Sequence, residues 1–427
     1  MRVVSARQPE AIADVLAAIR TATQRGAPAM LITLASHIAK RGAPWPRRVV
    51  FPKGDVLKAW GMPDRRLPLS ADAIGTIVSA VRSELIARAE ARRHYARAVI
   101  DRGLADLLVP IGERSASKAK IAWPRGSEIE IPAGATLRLF LHWEEPLNTR
   151  VDLDLSIALY DANWRHVGTC DFTHLRFGEH AAVHSGDLTS APPPLGSSEF
   201  VDLDLAALTK LRARHAVIVV FSFNSISFDR LTYGFAGIMV APQGDQPFDP
   251  RSVAQRFDLS GKSTITVPVT VDLERRRMRW LDVHLTGEGF HHQVGGYRAA
   301  LAHLGKDFAD FTETGARPTL WDVAAIHAAA RGNVVYVRER DDEITMYKRR
   351  DSETGHARLV RILARDHDGA ISVIPAADAP TWFATLRDDL AIPTGSSGFV
   401  LDARTTGGEG LTRLAAADLI AELAPKR

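Results

Sequence analysis

Between residues 137 and 240, short apolar runs alternate with carboxylates, and no other stretch constrains the fold of this chain as tightly. It reads Leu137-Arg-Leu-Phe-Leu-His-Trp-Glu, then Val151-Asp-Leu-Asp-Leu-Ser, then His184-Ser-Gly-Asp, then Glu199-Phe-Val-Asp-Leu-Asp. Alternation at period two marks strands with one buried face. Short runs of this kind, broken by turn signals such as Asp161-Ala-Asn, predict a β-sandwich. The acidic residues fall at the ends of the runs. Loops there can gather distant carboxylates, and hard cations such as Ca²⁺ need several such oxygens at once.

Asp152 and Asp154 stand two residues apart. On extended backbone they share a face, with Leu153 turned the other way. Carboxylates clustered without a cation repel one another and raise each other's pKa. A divalent ion removes that penalty, so metal is expected to stabilise the fold by linkage. Magnesium fits less well, because it prefers a tight octahedron and keeps its waters. The competing reading is that strand-end acids are solvated charges with no ligand.

The flanks differ in kind. Residues 1–125 carry 22 Lys/Arg against 10 Asp/Glu, a balance of +12, whereas the remainder balances at −8. The front has helical stripes: Ile12, Val15, Leu16 and Ile19; then Leu31, Leu34 and Ile38; then Ile74, Ile77, Val78, Val81 and Leu85, with Ser70 as N-cap. The third stripe predicts a long helix running on into Tyr95 and Val99. The back reads as mixed: paired strands around residues 264–285, helices over 297–311 and 320–330, a hairpin around Asp341-Asp342, a helix near 380–386 and a final helix over 411–423. A Pro-rich linker at 242–250 separates it from the sandwich. The expectation is therefore an α+β multidomain chain with a basic helical domain at 1–105, a β-sandwich at 106–245 and an α+β domain at 246–427.

Composition removes several classes. A single cysteine, Cys170, excludes an internal disulfide and any Cys-rich zinc site, and points to a reducing cytoplasm. Cys170 reads as a small buried apolar residue. No run of ~18 apolar residues occurs, and the first ten residues hold no apolar signal core. No phosphate-binding Gly-x-x-x-x-Gly-Lys-Ser/Thr loop is present. His184 reads as a packing or hydrogen-bonding residue, and His291-His292 as an exposed loop.

Five ordered segments, His142-Trp-Glu, Val151-Asp-Leu-Asp-Leu-Ser, Leu159-Tyr-Asp-Ala-Asn, Val183-His-Ser-Gly-Asp-Leu-Thr and Glu199-Phe-Val-Asp-Leu, resemble the TerD domain of bacterial tellurite-resistance and stress proteins. The likeness covers about a quarter of the chain. It implies a β-sandwich that binds Ca²⁺ in acidic loops, with Asp152, Asp154, Asp187 and Glu199 as ligand candidates. Glu144 stands where the family often has Asp after Trp, and Asp202 matches the aspartate of Val-Asp-Leu. Two positions depart from the pattern. The family's Gly-Asp-Asp-Glu loop is Gly196-Ser-Ser-Glu here, and the Asn after Gly-Asp is Leu188. Those losses weaken a second Ca²⁺ site and leave a first. Flanking segments resemble a larger actinobacterial and myxobacterial group that sets a helical or RING-like front before such a domain. The RING ligands are absent here, and that group has no established activity.

The expectation is thus a non-enzymatic, calcium-binding stress or assembly protein of the cytoplasm, with protein partners or a membrane-associated complex. An alternative is nucleic-acid binding by the basic front. Arg88, Arg92, Arg93 and Arg97 crowd near His94 and Tyr95, and Arg47, Arg48, Lys53, Lys58, Arg65 and Arg66 lie near Trp45 and Trp60. A third reading is a hydrolase near Trp280, His284, His291 and His327.

Overall fold

A computed structural model describes residues 17–19, 21–45, 47–50, 60–109, 124–131, 136–240, 255–285, 294–313, 317–375, 379–387, 389–402 and 412–425. In chain order, helix α1 (Pro28–Ala39) leads to a ribbon of β1 (Arg47–Val50) and β2 (Trp60–Pro63), helix α2 (Ala71–Glu90) and strand β3 (Tyr95–Asp101). The Ser70 hydroxyl accepts the amide of Ala73 and caps α2, as its sequence predicts. The helix stops at Glu90, however, and Tyr95 and Val99 lie in a strand. The first helical stripe and the Pro-rich linker lie largely outside the described residues.

Twelve strands follow among the described residues. They are β4 (Glu128–Glu130), β5 (Thr136–Glu144), β6 (Leu153–Tyr160), β7 (His166–Cys170), β8 (Arg176–Phe177), β9 (Ala182–His184), β10 (Ser197–Asp204), β11 (His215–Ser222), β12 (Tyr233–Val240), β13 (Gln255–Asp258), β14 (Ile265–Asp272) and β15 (Arg277–Leu285). Helix α3 (Leu205–Lys210), capped by Asp204, joins β10 to β11, and α4 (Arg298–Glu313) follows β15. The strands form two six-stranded sheets, ordered β13-β12-β5-β10-β9-β8 and β4-β15-β14-β11-β6-β7. Leu139, Leu141, Val201 and Leu203 from one sheet and Leu155, Ile157, Ile218 and Val269 from the other bury each other in one core. The alternate residues Ala158, Tyr160, Val217, Val219 and Phe221 face outward under Val294, Leu301 and Phe308. Cys170 sits fully buried in the inter-sheet core, where burial, then Asp171, pushes its thiol up to about 12.

The remaining elements are α5 (Leu320–Arg331), β16 (Gly332–Arg338), β17 (Ile344–Lys348), α6 (Gly355–Ala364), β18 (Gly369–Ile371), β19 (Thr381–Arg387), β20 (Ser397–Asp402), β21 (Thr412–Arg413) and α7 (Ala416–Ala421). The helix expected near 380–386 is the strand β19. Its Trp382 and Phe383 are buried, and it runs parallel to both β3 and β20.

The compact units do not follow three consecutive domains. One unit comprises Val49–Gly61 and Gly112–Asp310; the other comprises Met1–Arg48, Met62–Ile111 and Phe311–Arg427. The physical reason is β3. Its Tyr95, Ala98, Val99 and Ile100 are buried, so the strand needs a neighbour on each side. Those neighbours are β16 and β19, both parallel, from more than 230 residues away. The result is a seven-stranded sheet, β18-β17-β16-β3-β19-β20-β21, covered by α2, α5 and α6. The basic front is therefore half of an α/β unit. Strands β13 to β15, expected in the last domain, complete the sandwich sheets instead.

Candidate metal centre

Strand registers bring one set of loops to a common end of the sandwich. Ser197 of β10 and Tyr233 of β12 start beside Trp143 and Glu144, where β5 finishes. Ser222 ends β11 beside Leu153, where β6 begins. Leu153 turns into the core, and carboxyl oxygens of Asp152, Asp154 and Asp187 lie within 4.8 Å of one another. Asp152 and Asp154 come from the start of β6; Asp187 comes from the loop after β9. Gly186, at φ +124°, has a backbone conformation that L side chains rarely adopt, and it turns the chain so that Asp187 follows directly.

The frame around the trio is built from hydrogen bonds. Strand β7 pairs only with residues 157–160 of β6, so the first half of β6 has a free edge. Two side chains fill that edge at Leu155. Glu199 Oε2 accepts the Leu155 amide at 2.9 Å, and His184 Nε2 lies 3.0 Å from the Leu155 carbonyl. The other oxygen of Glu199 accepts the amide of Leu188, next to Asp187, at 3.0 Å. His184 Nδ1 accepts the Gly186 amide at 3.1 Å. That partnership makes Nε2 the donor to Leu155 and the ring neutral. Burial, opposed by these hydrogen bonds, lowers the His184 pKa accordingly. A further carboxylate, Glu145, accepts the amides of Val151 and Ala191 and the hydroxyl of Ser190. It ties the β5–β6 loop to the β9–β10 loop. Burial pushes Glu145 upward, but the two amides and the hydroxyl outweigh it and hold its pKa below the usual range. Asn224 clasps the third loop, donating to the Arg150 carbonyl at 2.7 Å.

Against this frame the trio is under-compensated. Asp154 is 2% exposed, and its Oδ2 has no hydrogen-bond partner. Burial first, then the negative charges of Glu199, Asp152, Asp187 and Asp171, push Asp154 up to about 8. Burial and Asp187 raise Asp152 to about 6, with Arg150, 3.6 Å away, pulling the other way. Glu199 is fully buried and is raised to about 8 by burial, even against its two amide donors. Carboxylates in such an arrangement hold protons at neutral pH or take a cation.

The expected ligands therefore divide. Asp152, Asp154 and Asp187 meet. Glu199 and Glu144 stand outside the trio. Both Glu199 oxygens are engaged by backbone amides, so its contacts describe a brace. Glu144 lies beside Tyr233, whose phenol is raised by burial and then by that carboxylate. Asp202 pairs with Arg138 at 2.7 Å, a structural contact within the sheet. The brace roles of Glu145, Glu199 and His184 escape sequence reasoning, because a backbone amide acceptor and a metal ligand are spelled with the same residue.

Four of the cations that suggested nucleic-acid binding are engaged within their own unit, and Lys53 and Lys58 lie outside the described residues. Arg88 donates to the carbonyls of Thr23, Gln24, Gly26 and Leu423 and pairs with Glu84. Arg92 donates to the carbonyls of Glu422 and Ala424, and Arg97 to Thr381 and Pro375. Arg66 pairs with Asp64 and covers the ring of Trp45. Of the histidines considered for hydrolysis, His327 is fully buried and bonded to the Leu419 carbonyl. His291 and His292 lie outside the described residues. His284 lies 2.8 Å from the hydroxyl of Ser263 and 3.1 Å from Asp282.

No family model matches the chain, and no curated protein does. Among solved structures, the chain is similar to a homologue of the telluride resistance protein TerD, SCO6318 from Streptomyces coelicolor A3(2). The identity is 13% and the TM-score 0.30, over 38% of this chain and 98% of that one. It is also similar to SAV2460, a protein of unknown function, at 16% identity and TM-score 0.28, over 36% of this chain and 94% of that one. No helix among the described residues is long and apolar enough to cross a membrane.

Proposed function

We propose that the chain is a calcium-binding protein with a TerD-like sandwich, and that its role is binding and assembly without catalysis. The reading rests chiefly on Asp154, a buried carboxylate with an unpartnered oxygen beside two further carboxylates. Three carboxylates from two loops suit Ca²⁺, which tolerates irregular oxygen shells and completes them with carbonyls and water. Glu199, Glu145 and His184 would set the positions of the loops and leave the ion to the aspartates. Calorimetric titration of Ca²⁺ tests this. Wild type should give a saturable heat that Asp152→Ala/Asp154→Ala lacks; no heat in either refutes the site.

A second reading has one observation in its favour. Ser263, His284 and Asp282 form a hydrogen-bonded chain in the order nucleophile, base and orienting carboxylate. Covalent labelling by a fluorophosphonate probe, lost in Ser263→Ala, would favour a serine hydrolase. Absence of labelling removes that reading.

A further inference from the structure

Large apolar side chains gather at the end of the sandwich that holds the aspartates. Leu147 in the β5–β6 loop is 79% exposed, and Leu195 in the β9–β10 loop is 82% exposed. Leu188 follows Asp187 directly. Phe223 follows β11, and its amide is bonded to the Asp152 carbonyl. Tyr233 opens β12 at the same end. The loops that carry Leu147 and Leu195 are the two that Glu145 ties together, so these tips are held in place.

The same end carries cations. Arg150, 61% exposed, stands beside Asp152 and donates to the Thr189 carbonyl. Arg230 lies between β11 and β12, and Lys262 precedes β14; both are exposed. Strand β14 begins opposite Phe221, which places Lys262 at this end too.

We infer that this end of the sandwich docks on an anionic phospholipid bilayer, with a Ca²⁺ ion held by Asp152, Asp154 and Asp187 bridging to lipid phosphates. The inference rests on the calcium reading above. Without metal, Asp187 is the one exposed carboxylate of the trio, and the site offers an anionic surface no cation to meet. With metal, two of the three carboxylate charges are cancelled, and open coordination positions can take phosphate oxygens. Arg150, Arg230 and Lys262 then complement the anionic headgroups. The apolar tips protrude singly from separate loops. A fluid interface accepts such protrusions one at a time, whereas a protein partner needs a matching pocket for each.

The test is co-sedimentation of the full chain with vesicles of phosphatidylglycerol and phosphatidylcholine, in Ca²⁺ or in chelator. The variants are Leu147→Ser/Leu195→Ser and Asp152→Asn/Asp154→Asn. Wild type should pellet with anionic vesicles in Ca²⁺ alone, and not with phosphatidylcholine. The leucine variant should keep the calorimetric Ca²⁺ heat and lose vesicle partition by about tenfold or more, since exposed leucines act only through burial. The aspartate variant should lose both. Wild type that takes up Ca²⁺ but ignores anionic vesicles overturns the docking and leaves the metal site standing. So does a leucine variant that binds vesicles as wild type does. Ca²⁺-driven dimerisation without vesicles, abolished by Leu147→Ser/Leu195→Ser, would assign the face to a second copy and also overturn it. Absence of any Ca²⁺ heat would remove the metal reading itself, and vesicle binding that persists in chelator would overturn the bridging ion.

Discussion

The α/β unit and the acidic end of the sandwich handle buried charge in opposite ways. In the α/β unit, Arg338 sits between both oxygens of Asp101, each at 2.8 Å, and Asp389 at 2.7 Å. Arg88 spreads its donors over four carbonyls and Glu84. Arg358 is the exception in this unit: fully buried, it reaches the carbonyls of Gly332, Asn333 and Tyr347, but its Nε has no hydrogen bond, and burial, then Arg349, lowers its pKa to about 10. At the sandwich end, Asp152, Asp154 and Asp187 meet with Arg150 alongside at 3.6 Å, and one oxygen of Asp154 has no hydrogen bond. Buried charge that the chain neutralises itself holds a fold together. Buried charge left in excess costs stability, and it is there that the proposed ion would bind.

That contrast can be broken most forcefully at Arg338. Arg338→Ala strands Asp101 in the interior and should cost about 3–5 kcal/mol of stability, read by denaturant unfolding. A cost near zero would erase the distinction between the two regions. Next in size is the pH dependence of the metal-free protein. Asp152, Asp154 and Glu199 have folded pKa values above their ordinary ones, so the native state binds more protons than the unfolded state across the window between them. Their contribution to stability therefore falls as pH rises from about 4 to about 8. Ca²⁺ should abolish the decline, and thermal melts across that range read both.

Asp154→Asn should act with the sign opposite to Arg338→Ala. Without metal at pH 8 it removes a buried repulsive charge and should stabilise the protein by roughly 1–3 kcal/mol, while ending Ca²⁺ uptake. Destabilisation would mean that Asp154 is already matched by the chain. The smallest effect concerns Arg92, whose two carbonyl contacts are worth about 1 kcal/mol. Arg92→Ala should lower stability by that amount, and duplex DNA should give no salt-dependent mobility shift with either protein. A shift in wild type that the variant loses would restore the nucleic-acid reading.

Much of the sandwich is legible in the sequence, because alternation is local: Leu153, Leu155 and Ile157 announce their inward face by spacing alone. The proximity of Asp152 and Asp154 follows from the same rule. Strands β3 and β19 were not legible. Tyr95-Ala-Arg-Ala-Val follows a helix without a Gly or Pro break, and its strand state depends on β16 and β19, far along the chain. The division of labour among the acids was hidden for a similar reason. Whether Glu199 meets an ion or an amide is decided by the free edge of β6 at Leu155, and edge strands are a property of the assembled sheet.

The most direct test of the central claim is the unfolding midpoint of the wild-type chain at pH 8 in saturating Ca²⁺ and in chelator. An ion that binds only the native trio should raise the midpoint, with about 2.7 kcal/mol of added stability at a hundredfold excess over its dissociation constant. Superimposable curves would contradict the account, since the excess negative charge at Asp152, Asp154 and Asp187 would then have no calcium to meet.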